Sequence, residues 1–132
     1  MAFELAYTLH GGDAHKLTLD IKSGQTLKAG MLIELDAGEA KVAVTDSTDV
    51  LGVCTGIDAN GKAVVVVDPA AVYRVTDATV RLLGASLDIG SGALTVATPA
   101  TLKDDLVVVG KSPANGPTLV KIATSKHAFS AA

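Results

Sequence analysis

Cys54 is the chain's only cysteine, so it is the first residue to weigh as a nucleophile. A catalytic cysteine needs its pKa lowered by a histidine, a lysine or a helix N-terminus. Cys54 stands in "LGVCTGI", among aliphatic residues, and the histidines at 10, 15 and 127 are distant in sequence. It reads as a packed, inert thiol, which is how a buried free cysteine usually behaves. His10, Asp13 and His15 form "HGGDAH", two imidazoles and a carboxylate of the kind that hold a transition metal. No other segment offers an obvious fourth ligand, and the stretch reads as a polar turn between strands. The aspartates at 46, 49, 58, 104 and 105 fall in predicted loops. Carboxylates do acid–base work where their surroundings push their pKa values apart, and nothing here marks an apolar pocket around them. Ser91 in "IGSGA" has neither the G-x-S-x-G pattern nor a strand–turn–helix around it. "LHGGD" and "AGEAK" lack the spacing of phosphate-binding glycine loops. No catalytic, cofactor-binding or metal-binding set is assigned, and the expectation is a protein that is not an enzyme.

The bulk properties narrow the class. A chain of 132 residues suits one domain, and a domain of that size buries roughly 65–70% of its unfolded surface. Apolar residues make up 48%, but Ala and Val supply much of this, with two Phe, two Tyr and no Trp. A core of small side chains gains little per residue, because burial scales with apolar area, so further burial in an oligomer is expected to help. The net charge is −3, and the basic residues are scattered. That argues against a nucleic-acid partner, which needs a basic footprint. One cysteine rules out an intrachain disulfide. No apolar run approaches the roughly 20 residues of a membrane span, and "MAFELAYTLHGGD" does not resemble a secretory signal. A soluble protein folded in a cytoplasm is the expectation.

The elements that would position these residues are β-strands. Residues 3–9 alternate, with Phe3, Leu5, Tyr7 and Leu9 on one side and Glu4, Ala6 and Thr8 on the other. Leu17, Leu19 and Ile21 give a second strand. "MLIELD" and "KVAVTD" flank Ala37-Gly38 as a hairpin. "VLGVCTGI" and "KAVVVVDP" flank a loop ending in Asn60-Gly61, a strong hairpin signal. "AVYRV", "VRLLGASLDI", "ALTVAT", "DLVVVGKS" and "PTLVKIAT" continue the texture. The prolines at 69, 99, 113 and 117 fall at strand ends or turns. The best helix candidate, Asp77 to Leu83, is short, and Thr79-Val80 argues against it.

An internal repeat is also readable. Residues 29–46 align with 83–100, matching Gly30 to Gly84, Ile33 to Leu87, Leu35 to Ile89, Gly38 to Gly92 and Val42 to Val96. Downstream, "VLGVCTGIDANGKAVVVV" echoes "VVVGKSPANGPTLVKI", with a small insertion needed around "TPATLKDD". Chance similarity between Val- and Gly-rich segments is the rival explanation. The expected fold is all-β, a small β-barrel or tulip-like domain of short antiparallel strands, in which two such units close on each other. The division is an N-terminal arm or strand at 1–12, a barrel at 13–123 and a tail at 124–132. That tail, with its Phe129, is either a loose end or a second arm.

"LKAGMLIELDAG…VTDSTDVLGVCTGIDANGKAVVVVDPAAVYRV" and "VRLLGASLDIGSGALTVATPA…LVVVGKS" resemble the head decoration, or cement, proteins of tailed bacteriophages over residues 27–122. The likeness lies in Gly and Val spacing, and the chain departs from the family in lacking aromatic anchors. The resemblance implies a virion protein made in the bacterial cytoplasm. It would sit on the outer surface of the expanded capsid as a homotrimer at three-fold or quasi-three-fold positions, bridging neighbouring capsomers. The implied partner is the major capsid protein, with no nucleic acid, membrane or cofactor. The N-terminal strand, with Phe3, Leu5, Tyr7 and Leu9, is the candidate capsid contact, because an extended segment can add to a sheet edge. The same strand can equally complete the protein's own barrel. The alternatives are another virion β-module of a tail, fibre or baseplate, or a small-molecule or sugar-binding barrel. The last would need a pocket lined by aromatics.

Overall fold

The computed structural model describes residues 3–43, 50–68, 70–76, 83–90, 96–97, 106–110 and 117–122. Within them the chain is all-β. Its strands are β1 (Glu4–Thr8), β2 (Lys16–Leu19), β3 (Leu32–Asp36), β4 (Glu39–Val42), β5 (Val50–Ile57), β6 (Ala63–Val66), β7 (Ala71–Thr76), β8 (Ser86–Ile89), β9 (Val96–Ala97), β10 (Leu106–Gly110) and β11 (Pro117–Ile122). Asp46, Asp49, Ser91, Asp104, Asp105, residues 77–82 of the helix candidate and the tail at 124–132 lie outside the described residues. Among the described residues no helix is long and apolar enough to cross a membrane.

Turn chemistry fixes the local pairings. Ala37 and Gly38 are the two central residues between the paired Asp36 and Glu39, with φ of 52° and 82°. Two consecutive positive φ values define a type I′ turn, whose twist matches that of the flanking strands. The β5–β6 hairpin closes over a longer loop. There the Asp58 carboxylate accepts the N–H groups of Asn60 and Lys62 at 2.9 and 3.0 Å. Asp58 is thus a turn-stapling carboxylate of the Asx type, not an acid–base group.

Two sheets result. One runs β1-β7-β11-β10-β8-β9, the other β2-β6-β5-β3-β4, and the pairing within both is antiparallel. The antiparallel all-β class is therefore as the sequence indicates. Closure is not, since the two units do not pair with each other to make one barrel. They stack instead, because the second sheet carries apolar residues on both faces and each face needs its own cover. The second sheet also bends on itself. Beyond β2, Ile21 forms a single parallel bridge with Ala40 of β4, at the far edge of the sheet. Ala40 N–H donates to the Asp20 carbonyl at 2.8 Å, and Lys22 N–H donates to the Ala40 carbonyl at 2.9 Å.

The repeat is real in the hydrogen bonds. Gly30 N–H donates to Cys54 carbonyl at 2.7 Å, and Cys54 N–H to Met31 carbonyl at 2.9 Å. Gly84 with Val108, and Val108 with Ala85, repeat these bonds at 2.8 and 2.9 Å, each residue 54 positions on (Gly30 to Gly84, Cys54 to Val108). Gly30 and Gly84 share a positive φ, 90° and 85°. A bulge follows at the same place in both units, between Cys54 and Gly56 and between Val108 and Gly110. Strands β2–β6 and β7–β11 have the same spatial order. The spacing stays constant through this bulge, so the insertion expected around "TPATLKDD" is not required.

Two apolar clusters divide the interior. Ile33, Leu51, Cys54 and Val65 face one cluster, with Leu27 and Met31. Leu32, Val50, Val53 and Val66, from the other face of the same sheet, meet Tyr73, Leu87, Ile89, Val108 and Val120 of the six-stranded sheet, with Phe3. The register passes from Ile33 opposite Gly52 to Glu34 opposite Val50, leaving Leu51 as an extra residue. A Cβ at Gly52 would fall on the Val66 carbonyl oxygen, so the strands approach there only because the residue is glycine.

Ala37→Asn tests the turn. Asn occupies the left-handed region at lower cost than Ala, so the variant should gain about 1 kcal/mol. A rise in Tm of roughly 2–5 °C by calorimetry is expected, and an unchanged or lowered Tm would show that residue 37 does not hold that conformation.

Candidate functional site

The N-terminal strand was the sequence's best candidate, and the structure divides it. β1 pairs with β7 and forms one edge of the six-stranded sheet. Glu4 lies opposite Arg74 and Leu5 opposite Tyr73, but Tyr7 lies opposite Val72. The slip makes Ala6 an extra residue, and a one-residue slip turns all later side chains to the other face. Phe3 and Leu5 therefore face the core side with Tyr73, while Tyr7 faces away. Phe3 is 2% exposed and belongs to the main cluster. Leu5 is 37% exposed, Tyr7 46%, and Leu9, in the turn beyond, 63%. The four residues do not form the single stripe that strict alternation suggests. Phe3 is a core residue, and Leu5, Tyr7 and Leu9 form the exposed apolar set.

The turn after β1 is tied down by a carboxylate that motif reading passed over. Asp68, buried, accepts His10 Nε2–H at 2.7 Å and His15 N–H at 3.2 Å on Oδ2, and Ala70 N–H at 2.9 Å on Oδ1. One side chain thus joins the β1–β2 turn to the β6–β7 turn. "VVVVDP" carried the signal, because an Asp directly before Pro at the end of an apolar run is a turn former.

Thr8, His10 and Asp68 line up like a nucleophile, base and orienting carboxylate, with Thr8 Oγ1 at 3.3 Å from His10 Nδ1. The hydrogen bonds do not arm it. Thr8 Oγ1 donates to Gly12 carbonyl at 2.7 Å, so its proton points away from the imidazole. Gly12 N–H donates to Nδ1 at 3.0 Å, occupying the lone pair that a general base would use. This also sets the neutral tautomer, with the proton on Nε2 facing Asp68. The arrangement is a clamp. His10, Asp13 and His15 do not converge as ligands, and among the described residues no group of three or more His, Cys, Asp or Glu could hold a metal.

Cys54 is fully buried, and its thiol donates to the Gly56 carbonyl at 3.5 Å. Burial pushes its pKa up, with the Gly56 contact acting the other way, the reverse of what a nucleophile needs.

A cavity of about 330 Å³ opens between the two sheets beside β1. Phe3, Leu5, Gly30, Val53, Val66 and Tyr73 are among its walls. Tyr73 is fully buried, and among the described residues its hydroxyl has no hydrogen-bond partner. Burial, with the Asp68 charge nearby, raises its pKa well above the ordinary tyrosine range, so the hydroxyl stays neutral. No protein-family model matches the chain, and no curated protein matches it.

The clamp has a pH signature. The His10 hydrogen bond first, then the Ala70 and His15 N–H groups, holds the Asp68 carboxyl at about 2 against an ordinary 3.8. Unfolded chains therefore bind the proton first, and the stabilisation is complete above 3.8 and lost as the pH falls from there to about 2. Asp68→Asn should lower Tm at neutral pH and flatten the loss of Tm across that acid window. A parallel acid loss in wild type and variant would exclude the clamp as its source. A thiol reagent offers a separate check, since Cys54 should stay unmodified in the native protein and react fully in denaturant. Rapid native labelling would contradict its buried placement.

Proposed function

We propose that the chain is a capsid decoration protein, which binds the major capsid protein on the outer surface of an expanded phage head and bridges neighbouring capsomers as a homotrimer. The observation that carries this reading is the exposed apolar set Leu5, Tyr7 and Leu9 on and beside a strand that ends a sheet. Edge strands are templates for further pairing, and exposed apolar side chains along such an edge, here on both faces of the strand, add to what a docking contact needs. The resemblance in Gly and Val spacing supports the same reading. So does the architecture, in which two stacked copies of one strand pattern form a stiff body suited to bearing load. The working principle is mass action, since a protein that binds only the assembled lattice stabilises it by its binding free energy at each of many sites.

Co-sedimentation with undecorated expanded heads and with procapsids tests this. The protein should pellet with expanded heads and stay in solution with procapsids. Tyr7→Ser combined with Leu9→Ser, both exposed and so neutral for folding, should weaken head binding by about tenfold or more. Light scattering on the eluting peak should give three times the chain mass. Failure to pellet with expanded heads would end the proposal.

A further inference from the structure

Both asparagines of the chain stand directly before a glycine, at 60–61 and 115–116. The second pair lies outside the described residues. The first sits in the β5–β6 loop, with Asn60 and Gly61 both exposed. We propose that Asn60 is a self-modification site, converted to aspartyl and isoaspartyl residues by attack of the Gly61 backbone nitrogen, and that the Asp58 turn restrains the rate. This goes beyond the capsid reading and does not depend on it.

The reacting groups are neighbours along the chain, so attack closes a five-membered ring within one dipeptide. The Gly61 nitrogen gives its proton to hydroxide or water, and its electron pair forms the bond to Asn60 Cγ. The Cγ–Nδ2 bond breaks and ammonia leaves. Water then opens the succinimide. Opening at Cγ leaves an aspartyl residue, and opening at the main-chain carbonyl leaves an isoaspartyl residue, with the chain routed through the side chain. Water is the one co-reactant. Space does not limit the attack. Among the described residues, and chain neighbours aside, no heavy atom lies within 4 Å of where a Gly61 Cβ would stand. The restraint comes from hydrogen bonds. Gly61 N–H donates to the Asp58 carbonyl at 3.1 Å, and that proton must leave before the nitrogen can attack. The Asp58 carboxylate accepts the N–H groups on either side, from Asn60 at 2.9 Å and Lys62 at 3.0 Å. Asp58 N–H donates to the Lys62 carbonyl at 2.9 Å. Attack therefore waits on a local opening of this turn. The Asp58 charge adds to the restraint, since a nearby anion disfavours a second one. The product places another carboxylate beside Asp58, and the isoaspartyl form lengthens the main chain, so the reaction loosens the β5–β6 hairpin.

The test follows the full chain in warm neutral buffer, native and in denaturant, by peptide mass spectrometry. Trypsin cuts after Lys41, Lys62, Lys111 and Lys121, so each asparagine reports in its own peptide. In the native protein the Asn60 peptide should gain about 1 Da with time, oxygen and a proton replacing the amide NH₂. It should resolve into two products of equal mass, and Asn60→Gln should show no gain in that peptide. The reaction should run faster in denaturant. Asp58→Ala, its Tm measured alongside, should raise the native rate by roughly threefold to tenfold, the worth of one net hydrogen bond. No mass gain at Asn60 in the native protein would overturn the site. A single aspartyl product would overturn the succinimide route. Equal rates in native and denatured wild type, or an unchanged native rate in Asp58→Ala, would overturn the restraint by the turn.

Discussion

The five-stranded sheet is apolar on both faces, and neither face can be left in water. In β5 alone, Val50 and Val53 belong to one cluster while Leu51 and Cys54 belong to the other. Strands of this kind read as continuous apolar runs and occur where both faces are covered. Everything else in the architecture supplies the two covers. On one side the sheet bends until Ile21 reaches Ala40, and its own side chains, with Leu27 and Met31, fill the hollow. On the other side the six-stranded sheet is laid across it. Within the sheet, β5 and β6 come so close at Gly52 that even a methyl group would collide with the Val66 carbonyl. A core poor in aromatics is thereby compensated by dense backbone approach, since packing contacts sum over many short-range pairs.

The second unit repeats the first in strand order, hydrogen bonds and bulge, yet it does not call for a third. The difference lies in the face it turns outward. The register places Ser86 where the first unit has Leu32 and Lys121 where it has Val66. Leu32 and Val66 are fully buried, whereas Ser86 and Lys121 are only partly so. The inward face keeps its character, with Ile33 replaced by Leu87, Cys54 by Val108 and Val65 by Val120. Stacked repeats need a terminal unit with a polar outer side, and two changes of residue type here provide much of it. Between copies, then, the backbone pattern is retained while the outer surface is rewritten.

This division explains what could be read in advance. Strand positions and hairpins were legible, because Ala37-Gly38 and Asn60-Gly61 declare turns by local chemistry alone. The repeat was legible through its glycines, whose positive φ must recur wherever the turn recurs. The bulges were not legible. Ala6, Leu51 and Thr55 look like ordinary members of alternating runs, and each becomes an extra residue only through the partner strand. Since one extra residue reverses the facing of all that follow, Tyr7 was placed beside Phe3 when it lies on the opposite face. The Asp68 clamp was hidden for a related reason: its partners, His10 and His15, are more than fifty residues away. The cavity was invisible because its aromatic walls, Phe3 and Tyr73, come from strands paired only in the folded sheet.

β1 is the strand outside the duplicated pattern, and that fact organises the functional readings. A strand present in both units would be constrained by the sheet it completes. β1 completes nothing in the repeat, so its side chains are free of that requirement. It sends Phe3 into the core, helps wall the cavity through Phe3 and Leu5, and leaves Tyr7 exposed. A single bulge makes these three placements compatible, by letting one short strand serve both of its faces. Such a strand, paired on one side only, would fray if nothing else held it. The His10–Asp68 contact supplies that hold at its C-terminal end, and the Phe3 N–H bond to the Gly30 carbonyl supplies it at the other. The appended strand is thus fixed at both ends and open along its outer edge, which is the arrangement a docking element requires.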